Sequence, residues 1–206
     1  SPDGRAVAFL AEDGTLGSVS SLFSALVVAD AGGGGTRAVL RAEHRVRSTP
    51  PGAVIPNEWL TAAGALRWGG DGRLYLAAVL GCRTDLGVAS AVSRVYAVAP
   101  DDGQVRVVAD SVLGVVTGIA RGGDWALAAQ SASSQDRTPR DCAAEAAAAP
   151  KRLVRLEFAT RRATTLVPGV AGGERFWSAS LTADDARMLL VTNVAPVAAG
   201  VDLRYW

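Results

Sequence analysis

Ser1-Pro2-Asp3-Gly4-Arg5, running into Ala6-Val7-Ala8-Phe9-Leu10, is the stretch on which the reading of this chain turns. Asp-Gly marks a tight turn, because glycine takes the positive φ that such turns demand at no steric cost. The apolar run behind it reads as a buried strand. The phrase returns as Gly70-Asp71-Gly72-Arg73 before Leu74-Tyr75-Leu76-Ala77-Ala78. It returns more faintly as Gly122-Gly123-Asp124 before Trp125-Ala126-Leu127, and as Asp184-Asp185 before Ala186-Arg187-Met188-Leu189-Leu190. With Asp3, Asp71, Gly122 and Asp185 taken as equivalent, the units lie 68, 51 and 63 residues apart. A turn-plus-strand unit recurring at long spacing is the mark of a repeat architecture.

Each unit reads as a four-strand meander. In the second, strands are expected over residues 65–68, 73–78, 93–98 and 104–109, with turns at Gly69-Gly70-Asp71-Gly72 and Asp101-Asp102-Gly103. Alternation in Val95 and Ala97, and in Val105 and Val107, suits half-buried antiparallel strands. The first unit lacks the opening strand and predicts strands over 5–10, 23–30 and 36–40, the last after the glycine-rich turn 31–35. The third predicts 116–119, 125–130, 153–158 and 163–167, and the fourth 176–180, 187–192 and 201–206. The units span residues 1–40, 65–109, 116–167 and 176–206, joined or interrupted by long loops at 11–22, 41–64, 79–92 and 131–152. Four-stranded antiparallel meanders in series are the blades of a β-propeller, so the expected fold is all-β, a single propeller domain or fragment. Three and a half to four blades are too few for a ring of about six to eight, so the chain is expected to be part of a larger propeller. Opening inside a turn at Ser1 and stopping inside a strand at Trp206 points the same way.

The wording of the turns resembles the TolB-type (WD40-like) propeller repeat. In that family a Ser-Pro-Asp-Gly turn precedes an apolar strand, and a later strand ends in Asp before a glycine-containing turn. Ser1-Pro2-Asp3-Gly4-Arg5 and Ala25-Leu26-Val27-Val28-Ala29-Asp30 match this most closely. The Gly-His and Trp-Asp pairs of true WD40 repeats are absent. The resemblance implies a non-catalytic scaffold of the bacterial envelope that binds a protein or another envelope partner. Similar repeats form the propeller of prolyl-oligopeptidase-type peptidases, so the alternative is the propeller portion of a larger hydrolase. A third reading is a propeller enzyme acting on a sugar or lactone through its central channel.

Composition narrows the field further. The 206 residues are 49% hydrophobic, enough for a sizeable core, and 21 basic against 20 acidic residues leave a net charge of +1. That balance argues against a nucleic-acid surface and against a polybasic membrane patch. No apolar run reaches the roughly 18–20 residues a bilayer requires: 22–29 is short, and 188–199 is broken by Asn193 and Pro196. His44 is the sole histidine, which rules out a histidine-cluster metal site and makes a Ser-His-Asp triad depend on a polar loop. No Gly-x-Ser-x-Gly elbow occurs, and Gly32 to Gly35 lacks the Gly-Lys-Ser/Thr of a phosphate loop. Asp101-Asp102 and Asp184-Asp185 read as turn residues. No catalytic residue, metal or cofactor is therefore assigned.

In a propeller blade, the loop between strands two and three emerges at the same end as the connection to the next blade. The long loops all belong to that end, and loops beyond about 12–15 residues are uncommon unless functional or disordered. Binding is expected there. Trp59, in Pro56-Asn57-Glu58-Trp59-Leu60, reads either as packing or as an exposed aromatic anchor, and Arg83, Asp85, Asp136, Arg137 and Arg140 either as a solvated face or as rim charges around that anchor. The other four tryptophans fall in or beside strands and read as packing. Within 131–152, Asp141 is placed to cap a short helix ending at Pro150, a flap over the face. Cys82 and Cys142 fall in loops of neighbouring blades, either as two independent thiols or as a disulfide. A bridge would close a loop of about 60 residues, stabilise by on the order of 4 kcal/mol in the entropic model, and imply an extracytoplasmic home, periplasm or cell surface.

Overall fold

The computed structural model describes residues 1–11, 25–41, 59–60, 66–83, 90–131, 151–167, 175–193 and 202–205. Among them there are fifteen β-strands and no helix. Every neighbouring pair is antiparallel, and the strands gather into four sheets in chain order. Blade one is β1 (Ala6–Ala11), β2 (Ala25–Asp30) and β3 (Thr36–Arg41). Blade two holds β4 (Trp59–Leu60) and β5 (Leu66–Trp68), both paired with β6 (Leu74–Arg83), then β7 (Ser90–Val98) and β8 (Val105–Leu113). Blade three is β9 (Val115–Ile119), β10 (Trp125–Ser131), β11 (Lys151–Glu157) and β12 (Ala163–Val167). Blade four is β13 (Arg175–Leu181), β14 (Met188–Asn193) and β15 (Asp202–Tyr205).

The core lies between the blades, and the sequence of β6 shows why. Its run Leu74-Tyr75-Leu76-Ala77-Ala78 sends alternate side chains to opposite faces. Leu74, Leu76 and Ala78 pack with Leu26 and Val28 of blade one. Tyr75 and Ala77 pack with Val116, Ile119, Ala126, Ala128 and Val154 of blade three. A strand covered on both faces carries no polar side, hence the unbroken apolar run. Blades three and four meet over Leu127, Ala129, Leu153 and Ala179. Each large side chain so buried, Leu74 or Leu127 for example, contributes about 1.5–3 kcal/mol. Blade one shows the converse. Ala6, Ala8 and Leu10 face blade two, while Val7 and Phe9 on the other side of β1 are 54% and 40% exposed.

Several strands run further than their sequence suggests. β6 continues to Arg83 and β7 begins at Ser90, so much of the expected 79–92 loop is ladder. A register shift between Val79 and Gly81 absorbs the extra residue and lets pairing resume. β8 likewise passes residue 109 and ends at Leu113, with register shifts where Arg94 and Val95 face it. Ser111 takes the irregularity at φ 54, and the Asp110 carboxylate accepts its amide. The expected 41–64 connection contains β4, whose Trp59 pairs with Val79 and Leu60 with Ala78. Ser131 belongs to β10, and Lys151 and Arg152 to β11. The helix expected from Asp141 lies outside the described residues.

The turn register also differs from the sequence alignment in one place. Amides of Gly4, Gly72, Gly123 and Asp185 each donate to the carbonyl three residues earlier, at Ser1, Gly69, Ala120 and Thr182. All four occupy positive φ. Asp184, not Asp185, is therefore the counterpart of Asp3 and Asp71. Its carboxylate accepts the amide two residues on, Ala186, as Asp3 accepts Arg5 and Asp71 accepts Arg73. Asp185 stands where the other three turns have glycine.

Candidate functional site

Strand direction divides the molecule into two ends. Turns β5–β6, β9–β10 and β13–β14, with β7–β8 and β11–β12, lie at one end, and the long connections leave from the other. At the long-loop end, β6 carries Cys82 opposite Ala91 and Arg83 opposite Ser90. Trp59 pairs with Val79, four residues before Arg83 on the same strand. The register thus brings the Trp59, Cys82 and Arg83 positions to one end of blade two. Trp59 sits on a strand at the edge of β6 that β5 also occupies, rather than in an open loop. Asp85, Asp136, Arg137, Arg140, Cys142 and His44 fall outside the described residues.

Blade two hands the chain to blade three through Gly114 alone, between Leu113 and Val115. Three buried or half-buried bonds hold this crossover. Ser93 Oγ donates to Gly114 O at 2.7 Å, Gln130 Nε2 donates to Leu113 O at 3.0 Å, and Arg152 Nε donates to Gln130 Oε1 at 3.0 Å. Beside it a groove of about 310 Å³ separates β8 from β11 and β12. Val112, Leu113, Leu156 and Phe158 give it apolar walls, and Asp110, Glu157 and Arg161 put charge on it. Arg94 Nε donates to Asp110 at 2.9 Å and holds that carboxyl below its usual range. Glu157 is shared between Arg155 and Thr160. Ser111 and Arg161, two of the three described non-glycine residues at positive φ, both line it. Its lining also includes the Ser111 hydroxyl and the Gln130 amide. Among the described residues no three His, Cys, Asp or Glu side chains come together as metal ligands would.

The short-turn end has a feature that the sequence reading missed. Arg67 of β5 donates through Nη1 to Ile119 O at 3.1 Å, and through Nη2 to Thr182 O and Ala183 O at 3.0 and 2.9 Å. Its Nη1 lies 2.6 Å from Asp185 Oδ1, with the two side chains only 17% and 20% exposed. That contact is ionic, and Oδ1 has no hydrogen bond of regular geometry. Asp185 Oδ2 accepts the Arg121 amide at 2.8 Å, and Arg121 O accepts the Gly70 amide at 3.0 Å. Nearby, Tyr75 Oη donates to Asp71 Oδ2 at 3.0 Å. Burial first, then that bond, push the phenol pKa up. Thr182 Oγ1 donates to Asp184 at 2.6 Å and leads the causes that hold the Asp184 carboxyl low. The one available signal was Asp185 itself, an acid in a glycine position.

No protein-family model matches the chain, and no curated protein is similar to it in sequence. Among solved structures it is similar to TolB from Acinetobacter baumannii, at 13% identity and a TM-score of 0.50 over 98% of this chain. It spans 38% of that TolB chain. It is also similar to the β-propeller domain of the Trilobed protease from Pyrococcus furiosus, at 12% identity and a TM-score of 0.48, covering all of this chain and 66% of that one. Four antiparallel blades in chain order, packed face to face, define the class as a β-propeller. The arrangement is TolB-like, as the turn wording implied. No described helix is long and apolar enough to cross a membrane.

Proposed function

We propose that the chain is a non-catalytic, ligand- or protein-binding propeller scaffold of the bacterial cell envelope, engaging its partner at the long-loop end. The observation that carries this reading is the register that sets Trp59, Cys82 and Arg83 at one end of blade two, away from the short turns. At the other end the β5–β6, β9–β10 and β13–β14 turns bond to one another, and the elaborated end is the place to seek recognition. TolB-likeness of the fold is compatible with this role and does not assign it, because one fold hosts many functions. Trp59 supplies the aromatic anchor, and Arg83, Asp85, Asp136, Arg137 and Arg140 the polar rim.

The test compares wild type and Trp59→Ala for association with an immobilised cell-envelope extract, with far-ultraviolet circular dichroism as the check on folding. A folded variant should lose at least tenfold in retained protein, as truncation of a central aromatic anchor does. Equal retention of both proteins would remove Trp59 from the site. Retention of neither by any envelope fraction would remove the proposed location.

A further inference from the structure

Three contacts at the short-turn end form a circuit through three blades, closed by the chain between Arg67 and Gly70. Gly70 of blade two donates to Arg121 of the β9–β10 turn, and Arg121 donates to Asp185 of the β13–β14 turn. Asp185 returns to blade two through Arg67. Arg67 also takes the carbonyls of Ile119, Thr182 and Ala183, so one guanidinium satisfies the ends of two neighbouring inner strands. Strands β5, β9 and β13 lie side by side there, with β9 touching both others. Adjacent blades already share apolar cores, whereas blades two and four are not sequential. What joins them at this end is polar and largely shielded from water.

We propose that Arg67 and Asp185 form an interblade clasp that locks blades two, three and four into one unit at their turn ends. Equivalent turns place glycine at this left-handed position, at Gly4, Gly72 and Gly123, where a side chain is sterically unwelcome. Asp185 holds φ 61 and uses the carboxylate that glycine would lack, one oxygen for each neighbouring blade. A local rule is broken at one repeat, and both carboxylate oxygens of the residue that breaks it contact other blades. Arginine suits the other half because its planar fork reaches several acceptors together, which a lysine ammonium cannot do in the same geometry. The clasp rests on no assumption about the partner at the opposite end.

Asp185→Gly separates the clasp from local strain, because glycine relaxes the backbone while deleting the carboxylate. The readouts are the thermal midpoint and amide hydrogen exchange at Gly70 and Arg121. Asp185→Gly should lower the midpoint and speed Arg121 exchange by tenfold or more. Arg67→Lys should act in the same direction, and the double variant should lose less than the sum of the two single changes. A raised midpoint in Asp185→Gly, with Arg121 exchange unchanged, would overturn the clasp and leave Asp185 as a strained surface acid. Strictly additive effects would also overturn it, since they would show that the two residues do not act through each other.

Discussion

At the scale of the residue, positions in the turns look alike in sequence but differ in what surrounds them. Tyr75 is 3% exposed, its ring lies against the backbone of the next blade's turn, and a Cβ on Gly123 would stand 2.1 Å from it. Its raised phenol pKa means that the folded state binds the proton more tightly than the unfolded chain does. That contribution is complete below the ordinary tyrosine pKa of about 10 and is lost as pH rises through the folded value. Between neutrality and strongly alkaline pH, Tyr75→Phe should keep the ring packing, cost about 1 kcal/mol near neutrality for the lost bond to Asp71, and lose less stability than wild type once pH rises past about 10. Urea unfolding across that range reads both effects. Carboxylates behave oppositely: Asp3, Asp110 and Asp184 sit below their usual range, so their contributions are present above about pH 4 and fade as pH falls further. The Asp-Gly turns were legible because turn chemistry is local. The task of Asp185 was not, because both of its partners lie in other blades.

Among the elements, β8 and its crossover show where periodicity stops being informative. Val105 and Val107 alternate as expected, yet both are exposed, at 39% and 48%. β8 is an outer strand, so alternation there reports pleat rather than burial. Past residue 109 the pattern breaks at Asp110-Ser111 and reads as a loop, whereas the ladder absorbs a bulge and continues. The single-residue connection at Gly114 follows from that. Gly114 holds φ 102, and a Cβ there would lie 2.6 Å from Ala129 O. Gly114→Ala should therefore destabilise by about 1–3 kcal/mol through strain at this crossover, measured by chemical denaturation. A change within experimental error would show that blades two and three can shift to admit a methyl group. The two halves around β6 were similarly split: its apolar run was visible, while β4 was hidden because two residues carry no period.

For the whole molecule, the blades were visible in the sequence and their bolts were not. Cys82 and Cys142 are either two independent thiols or a disulfide. Intact mass before and after reduction, with thiol alkylation at each stage, decides between them. Two alkyl groups gained only after reduction would establish the bridge and an oxidising home. Alkylation without reduction would make both cysteines free thiols and remove the argument for an extracytoplasmic location. A mass far above that of 206 residues with an added hydrolase domain would move the chemistry outside this chain. By itself the sequence determined the all-β class, the repeated turn-and-strand unit and the strands buried on both faces, because turn residues and alternating apolar runs act over a few neighbouring positions. Only the tertiary structure decided that Arg67 would meet carbonyls 115 and 116 residues away, that Asp185 would replace a glycine to join it, and that Gly114 alone would carry the chain between blades. Such contacts depend on how the blades stack, and no local pattern encodes the distance between side chains so far apart in the chain.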